Sequence, residues 1–428
     1  MNEMTKDGQV AEQWDRTVRH GGRLHSPLAT DGWAWRLIPP DHPALQGRPS
    51  ALRMNDPGEA LEIISEQYGQ PEYYCVLGGN VASVSGWTGI SFDEQYQALA
   101  RGTGAFPCGG MYYCSVRGPD AVRVLGALTP RRVDLLDVGQ AAFAVFTTPE
   151  GTVDTEGVVL RDGEDSFQIS LGGDTRPPRW LHDALDSYPR AWAEETDLSS
   201  FNLKGPHRDQ AMLRLLADDA AAQVLQLPPF HGARVGIRWG GEAWVLRTVI
   251  GIEMWGGPDV IREAWKRMVA DPRTFTPCGW EVLATYRLEC REFRFYLCPL
   301  DIHRGTYLLD AGLGHVVSRG KREPYVGRGA LENPEYFSGQ MWVGGLTALS
   351  PGAPRRAVGE MLTSEARDIP SGYVTSAAYS PRAGREICFA HLSNRVAPGS
   401  TVGFGDGSTW RAVSLPLQLP NVVPGRGY

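Results

Sequence analysis

Ile252-Glu253-Met254-Trp255-Gly256-Gly257-Pro258-Asp259 decides how the chain is read: a short β-type run, a Gly-Pro turn and the start of an amphipathic helix. Beyond it Val260, Ile261, Ala264, Trp265, Met268 and Val269 recur at helical spacing, and Pro258 falls in the first turn, where its missing N–H breaks no helical bond. The unit occurs twice upstream. Cys114-Ser115-Val116-Arg117-Gly118-Pro119 leads into Asp120 to Leu128, and Phe201-Asn202-Leu203-Lys204-Gly205-Pro206 leads into Asp209 to Leu216. A helix with one apolar stripe needs a flat apolar partner, so each unit predicts a helix laid on a sheet.

Further strands are expected at Tyr73 to Leu77, Ala142 to Thr147, Gly157 to Leu160, Ser166 to Leu171 and Ala243 to Ile250, with a helix over Asp93 to Ala100 that ends before Gly102. Together these describe an α+β architecture with mostly antiparallel sheets. From about Arg355 the pattern becomes short strands punctuated by Gly, Pro and Ser: Tyr373 to Ser376, Ile387 to Leu392, Thr401 to Phe404 and Arg411 to Leu415. That is the signature of a small β-barrel or jelly roll. At 428 residues the chain exceeds one ordinary core, and about two to four domains are expected. The expected divisions are an irregular N-terminal extension over 1–58 that packs through Trp33 and Trp35, α+β lobes over 59–200 and 201–344, and a barrel over 345–428.

Composition narrows the function. An apolar fraction of 42% with 21% charged residues is that of a globular protein, and a net charge of -7 leaves no basic excess for nucleic acid. The seven cysteines are scattered, with no CxxC pair and no Cys/His cluster at zinc spacing, so free thiols, a reducing cytoplasm and no metal site are expected. The first residues lack a basic segment followed by an apolar one, and no apolar run approaches 18 residues, so neither secretion nor a membrane span is expected. The partner implied is a small molecule.

Several segments in one chain order resemble the glycine-cleavage T-protein (aminomethyltransferase) superfamily. They are Gly86-Trp87, Gly118-Pro119-Asp120-Ala121, Gly139-Gln140-Ala141-Ala142-Phe143, Arg287-Leu288-Glu289, Asp310-Ala311-Gly312-Leu313-Gly314, Gly327-Arg328-Gly329-Ala330-Leu331 and Tyr379-Ser380-Pro381. The resemblance implies a three-domain cloverleaf, with two α+β lobes, a C-terminal barrel and tetrahydrofolate, or its 5-methyl or 5,10-methylene form, in a central channel. Within the superfamily, Gly251 to Gly256 is most similar to aryl-methyl-ether O-demethylases of the vanillate and syringate type. The loop is shorter than the T-protein's.

The same resemblance nominates site residues. Glu253 matches the pterin-binding glutamate, and a carboxylate suits a pterin edge because its two oxygens accept adjacent N–H groups. Glu156 stands where the family has an aspartate beside folate N5, one methylene or about 1.5 Å longer, and Asp154 is a nearby substitute. Phe143, Trp255, Arg287 and Tyr379 are expected along the folate channel. Phe106-Pro107-Cys108-Gly109-Gly110-Met111 departs from the family's histidine-containing substrate loop, which makes Cys108, Gly110 and Tyr112 candidate substrate contacts. His315, in place of a common tryptophan, is a candidate proton donor. The implied activity is tetrahydrofolate-dependent methyl transfer, with demethylation of an O-methyl compound as the leading form. Methylene or aminomethyl transfer is the alternative, and non-catalytic folate binding the third reading.

Overall fold

The computed structural model describes residues 36–38, 71–77, 81–87, 89–108, 111–171, 177–248, 251–290, 294, 296–298, 300–333, 341–364 and 367–417. Trp33, Trp35 and Gly110 lie outside them. Within 1–58 the described residues are Arg36–Ile38, a strand that pairs with Pro71–Leu77, which in turn pairs with Val81–Trp87.

Each Gly-Pro unit folds as its pattern predicts. Tyr112–Arg117, Ser199–Lys204 and Ile252–Gly256 are strands, followed by helices Ala121–Leu128, Arg208–Leu213 and Pro258–Val269. Gly118 and Gly205 both take positive φ, and a side chain at either would overlap backbone, so the turn demands glycine.

The first large sheet runs His231–Gly236, Glu242–Arg247, Ile252–Gly256, Ser199–Lys204, Gly104–Pro107 and Thr276–Pro277, antiparallel except at the last pair. The second runs Ala141–Thr147, Val153–Gly163, Ser166–Leu171, Tyr112–Arg117 and Trp192–Glu195, antiparallel throughout. Met341–Ala348, Arg385–Ser393, Arg367–Ser380, Met361–Ser364, Thr401–Gly403 and Thr409–Val413 close into a six-stranded barrel. The fold is thus mixed α+β with antiparallel sheets and a C-terminal barrel, as expected.

Side chains alternate across a strand, and both sheets use the alternation to build two faces. On the first, Phe201, Leu203, Ile252 and Met254 enter a core with Ile261, Ala264, Trp265 and Met268 of the covering helix. On the second, Ala144, Phe146, Val159 and Ile169 pack under Ala121–Leu128 and Leu181–Ser187. The opposite faces meet, because Tyr113, Ala141 and Leu160 of the second sheet share a cluster with Leu246 and Trp255 of the first. The side chains of this shared cluster are largely shielded from bulk water.

Helix Trp280–Glu289 was not anticipated. It is buried on nearly all sides, with Thr285, Arg287 and Glu289 among the buried residues, so it carries no polar stripe to reveal it. It is tied to the barrel: Arg287 pairs with Asp301 at 2.7 Å and donates to Ser376, while Ser380 donates to Glu289. Among the described residues no helix is long and apolar enough to cross a membrane. Cys108, Cys114, Cys278, Cys290, Cys298 and Cys388 are free thiols.

Candidate functional site

The strand Ser199–Lys204 directs Phe201 and Leu203 into the core, so Ser200, Asn202 and Lys204 project from the other face, where Ser200 meets Tyr113 of the second sheet. Asn202 lies directly across from Glu253 in the register. Its Nδ2 donates to Glu253 Oε1 at 2.9 Å, and the Trp255 indole N–H donates to Oε2, also at 2.9 Å. The carboxylate is thus aimed by one donor per oxygen, and each oxygen keeps a lone pair for a further donor. Asn202 Oδ1 is buried with no hydrogen-bond partner. Gly251 is required beside it, since a side chain there would overlap that oxygen and come within 2.7 Å of the Leu203 carbonyl.

Around this carboxylate stand groups from both sheets. Tyr113 donates its hydroxyl to Ser200, and its ring meets the Trp255 indole edge-on at 5.6 Å. Burial, with Cys108 and Glu253 nearby, pushes the tyrosine's pKa upward. The Cys108 backbone N–H donates to Ser200, and its thiol is pushed up to about 12 by desolvation and by the Glu253 charge. It is therefore a protonated thiol at neutral pH and no nucleophile. Lys204 is buried, with its ammonium 5.8 Å from the Phe106 ring centroid and 5.7 Å from that of Tyr286. Desolvation lowers its pKa to about 8, against the opposing pull of Glu253.

Glu156 sits on the second sheet, opposite Val145. It is buried, accepts the Cys298 backbone N–H and feels the Arg287 charge, yet desolvation dominates and holds its pKa at about 7. A carboxyl so placed exchanges its proton near neutrality. Asp154, two residues earlier, is engaged by Arg304 Nε at 3.1 Å and by the Arg179 backbone N–H at 2.8 Å.

The remaining sequence candidates are distributed unevenly. Trp255 and Cys108 join Glu253, and Phe143 packs partly buried against the cluster that contains Val145. Tyr112 is half-buried against the helix-covered core of its sheet. Arg287 is fully buried under the barrel in its pair with Asp301. Tyr379 is exposed on a barrel strand, and His315 is exposed in the short 3-10 turn Gly314–Val316, so neither is on the two facing sheets. Sequence reasoning missed Ser200, Asn202, Lys204 and Tyr113. The alternation of Ser200, Asn202 and Lys204 with Phe201 and Leu203 was visible, but a polar/apolar alternation ordinarily marks a solvent-facing strand.

The sequence profile of the GCVT N-terminal domain matches residues 62–321. A protein of Halobacterium salinarum named "Probable aminomethyltransferase" is 30% identical over 348 residues, covering 76% of this chain and 90% of its own. The aminomethyltransferase of Bordetella petrii is 28% identical, covering 82% and 95%. Among solved structures, the glycine cleavage system aminomethyltransferase T of Bartonella henselae superposes with a TM-score of 0.69 at 18% identity, over 79% of this chain and 92% of that one. That superposition establishes an aminomethyltransferase-type fold. The chain belongs to the GCVT family, and the coarse activity that follows from membership is folate-dependent one-carbon transfer.

Proposed function

We propose that the chain moves a one-carbon unit at the methylene or aminomethyl level between tetrahydrofolate and a small amine-bearing molecule. The relatives named aminomethyltransferase support that oxidation level. The residues present suit a pterin. The outward lone pairs of Glu253 and the unpartnered Asn202 Oδ1 are acceptors, as an edge rich in N–H groups needs. Bound tetrahydrofolate would supply the nucleophilic N5 that accepts or releases the carbon.

The observation that carries the proposal is the Glu156 carboxyl, held near neutrality by burial. In its neutral form it gives a proton to a departing nitrogen, and the resulting carboxylate stabilises positive charge beside it. Glu253 orients the pterin. Leu160, on the same face of its strand as Glu156, packs with Tyr113, Leu246 and Trp255, and the burial of Glu156 strengthens its electrostatic contact.

Demethylation of an O-methyl compound is the second reading, favoured by the direct passage from Ile252–Gly256 into the helix that starts at Pro258, with no intervening loop. Incubation with isotopically labelled 5,10-methylenetetrahydrofolate and a panel of amines should transfer the methylene carbon, read by mass spectrometry. Formation of 5-methyltetrahydrofolate from tetrahydrofolate and methyl ethers would replace the first reading by the second. No calorimetric binding of any reduced folate would defeat both.

A further inference from the structure

Arg131 and Arg132 are neighbours in the chain, and the protein treats them differently. Arg132 forks onto Asp134, with Nε and Nη2 at 2.7 and 2.6 Å from its oxygens, and lies within reach of the Glu323 charge. Arg131 has no such partner. Among the described residues its guanidinium meets no acceptor, and its half-burial lowers its pKa with no acid to offset the loss of water. In a chain with 49 acidic residues against 42 lysines and arginines, a partly desolvated arginine without a carboxylate marks a place short of negative charge.

The stretch from Gly312 to Ser318 gathers a second such arginine beside it. At one end Arg294 lies over Gly312: its Nη1 donates to the Gly312 carbonyl at 3.1 Å, and a side chain at Gly312 would come within 3.0 Å of three guanidinium atoms. No carboxylate among the described residues pairs with it. At the other end the Ser318 backbone N–H donates to the Pro130 carbonyl at 3.1 Å and the Ser318 hydroxyl accepts the Arg132 backbone N–H at 3.0 Å, which pins the residues on both sides of Arg131. His315 stands between, exposed, on the turn Gly314–Val316. Desolvation and the Arg294 and Arg131 charges hold its ring below the usual histidine pKa, and no acid acts on it. The strand Ala141–Thr147, which packs against this turn, brings no ionisable side chain. Like charges gathered without a counter-ion repel, and an anion placed among them turns that repulsion into attraction. Guanidinium groups present paired N–H donors that match the oxygens of a carboxylate or phosphate. We propose that Arg131, Arg294 and His315 form an oxyanion-binding site at the surface, which takes a carboxylate or phosphate group. Two sources carry that chemistry: a free anion, and the glutamyl carboxylates of folate. The second rests on the proposed binding of tetrahydrofolate, and the first does not. Val316, next to His315, shares a cluster with Val145, which lies across from Glu156 in the register, so the tail of a folate bound there has a short path to the site.

Calorimetry on the full chain tests both sources. Inorganic phosphate and citrate probe the free anion, and tetrahydrofolate carrying one or three glutamates probes the tail. Wild-type protein should bind phosphate or citrate, or should prefer the triglutamate, and Arg131→Met and Arg294→Met should each lower that affinity or preference about tenfold, the loss of one charge-assisted contact. Arg132→Met should leave it unchanged, because that guanidinium already serves Asp134. Saturating anion should also raise the pKa of the His315 ring, followed by NMR, and raise it less in Arg131→Met. Arg132→Met removes the same charge from the same segment, so the comparison separates a site from general attraction. Equal effects of the three substitutions, or neither anion binding nor a triglutamate preference in wild type, overturn the site. Both results leave the folate reading standing, which falls only if wild-type protein binds neither form of tetrahydrofolate.

Discussion

Glu253 and Glu156 are both glutamates on facing sheets, but the protein treats them oppositely. Glu253 receives two side-chain donors, one to each oxygen, an arrangement that fixes its carboxylate in direction. Glu156 receives one main-chain donor and a burial that its surroundings do not offset, so its proton sits near pH 7. On the proposed function this difference is a division of labour: the acid with two side-chain donors would hold the ligand, and the poorly solvated one would exchange protons.

The largest expected effect separates the two. Glu156→Gln keeps size and hydrogen bonding but cannot exchange a proton, so kcat should fall about 100- to 10,000-fold while the tetrahydrofolate Kd changes less than about threefold. In wild type the kcat profile should show an inflection near pH 7 that the variant lacks. Equal losses in kcat and affinity would make Glu156 a binding residue and erase the contrast. Glu253→Gln should do the reverse. Loss of a charged acceptor for two N–H groups should weaken tetrahydrofolate binding about 100-fold, roughly 3 kcal/mol, as read by calorimetry. A variant that binds normally would remove Glu253 from the site.

How much of this was legible in the sequence follows from the kind of information each feature needs. Val260, Ile261, Ala264, Trp265 and Met268 declared their helix because a one-sided stripe is a local pattern. The barrel strands declared themselves through their turns, although Tyr373 to Ser376 proved to be the middle of Arg367–Ser380, a strand interrupted by a register shift between Val374 and Ser376. Trp280–Glu289 had no stripe to show. Glu253 and Glu156 were reachable by resemblance, whereas Asn202, Lys204 and Tyr113 depend on which strand lies beside which. Asn202 meets Glu253 through a register 51 residues apart, and no local pattern encodes that.

A third prediction tests whether burial of a cation is structural when main-chain carbonyls hold it. Lys321 donates to the carbonyls of Gly126, Thr129 and Arg131, at 2.6, 2.7 and 2.9 Å, and so closes the C-terminal end of helix Ala121–Leu128. Lys321→Met leaves three acceptors without that donor and should cost about 3 kcal/mol of stability, seen in denaturant unfolding. Folate affinity should stay unchanged. A loss of affinity would show that Lys321 acts on the binding site and not on the helix end alone.

The smallest effect is a slope. His303 and His391 stack at 4.7 Å beside Tyr373, with His303 hydrogen-bonded to the Tyr373 hydroxyl and His391 to the Asp301 carbonyl. Desolvation lowers both, His391 to about 4 and His303 well below its usual value. The unfolded chain therefore protonates first, so the stability these rings contribute is complete above about pH 6.5 and is lost as pH falls toward 4. Glu156 runs the other way: its folded pKa is raised to about 7, so its contribution is complete below about pH 4.5 and is lost as pH rises through 7. Between pH 4.5 and 6.5 the two trends oppose each other. Glu156→Gln should steepen the fall in stability on acidification, and His391→Gln should make it shallower, each by up to about 1.4 kcal/mol per pH unit, the value of one proton. Melting temperatures measured across that window decide the matter. If both variants kept the wild-type slope, burial would not be the force that sets either group, and the contrast between the two glutamates would lose its physical basis.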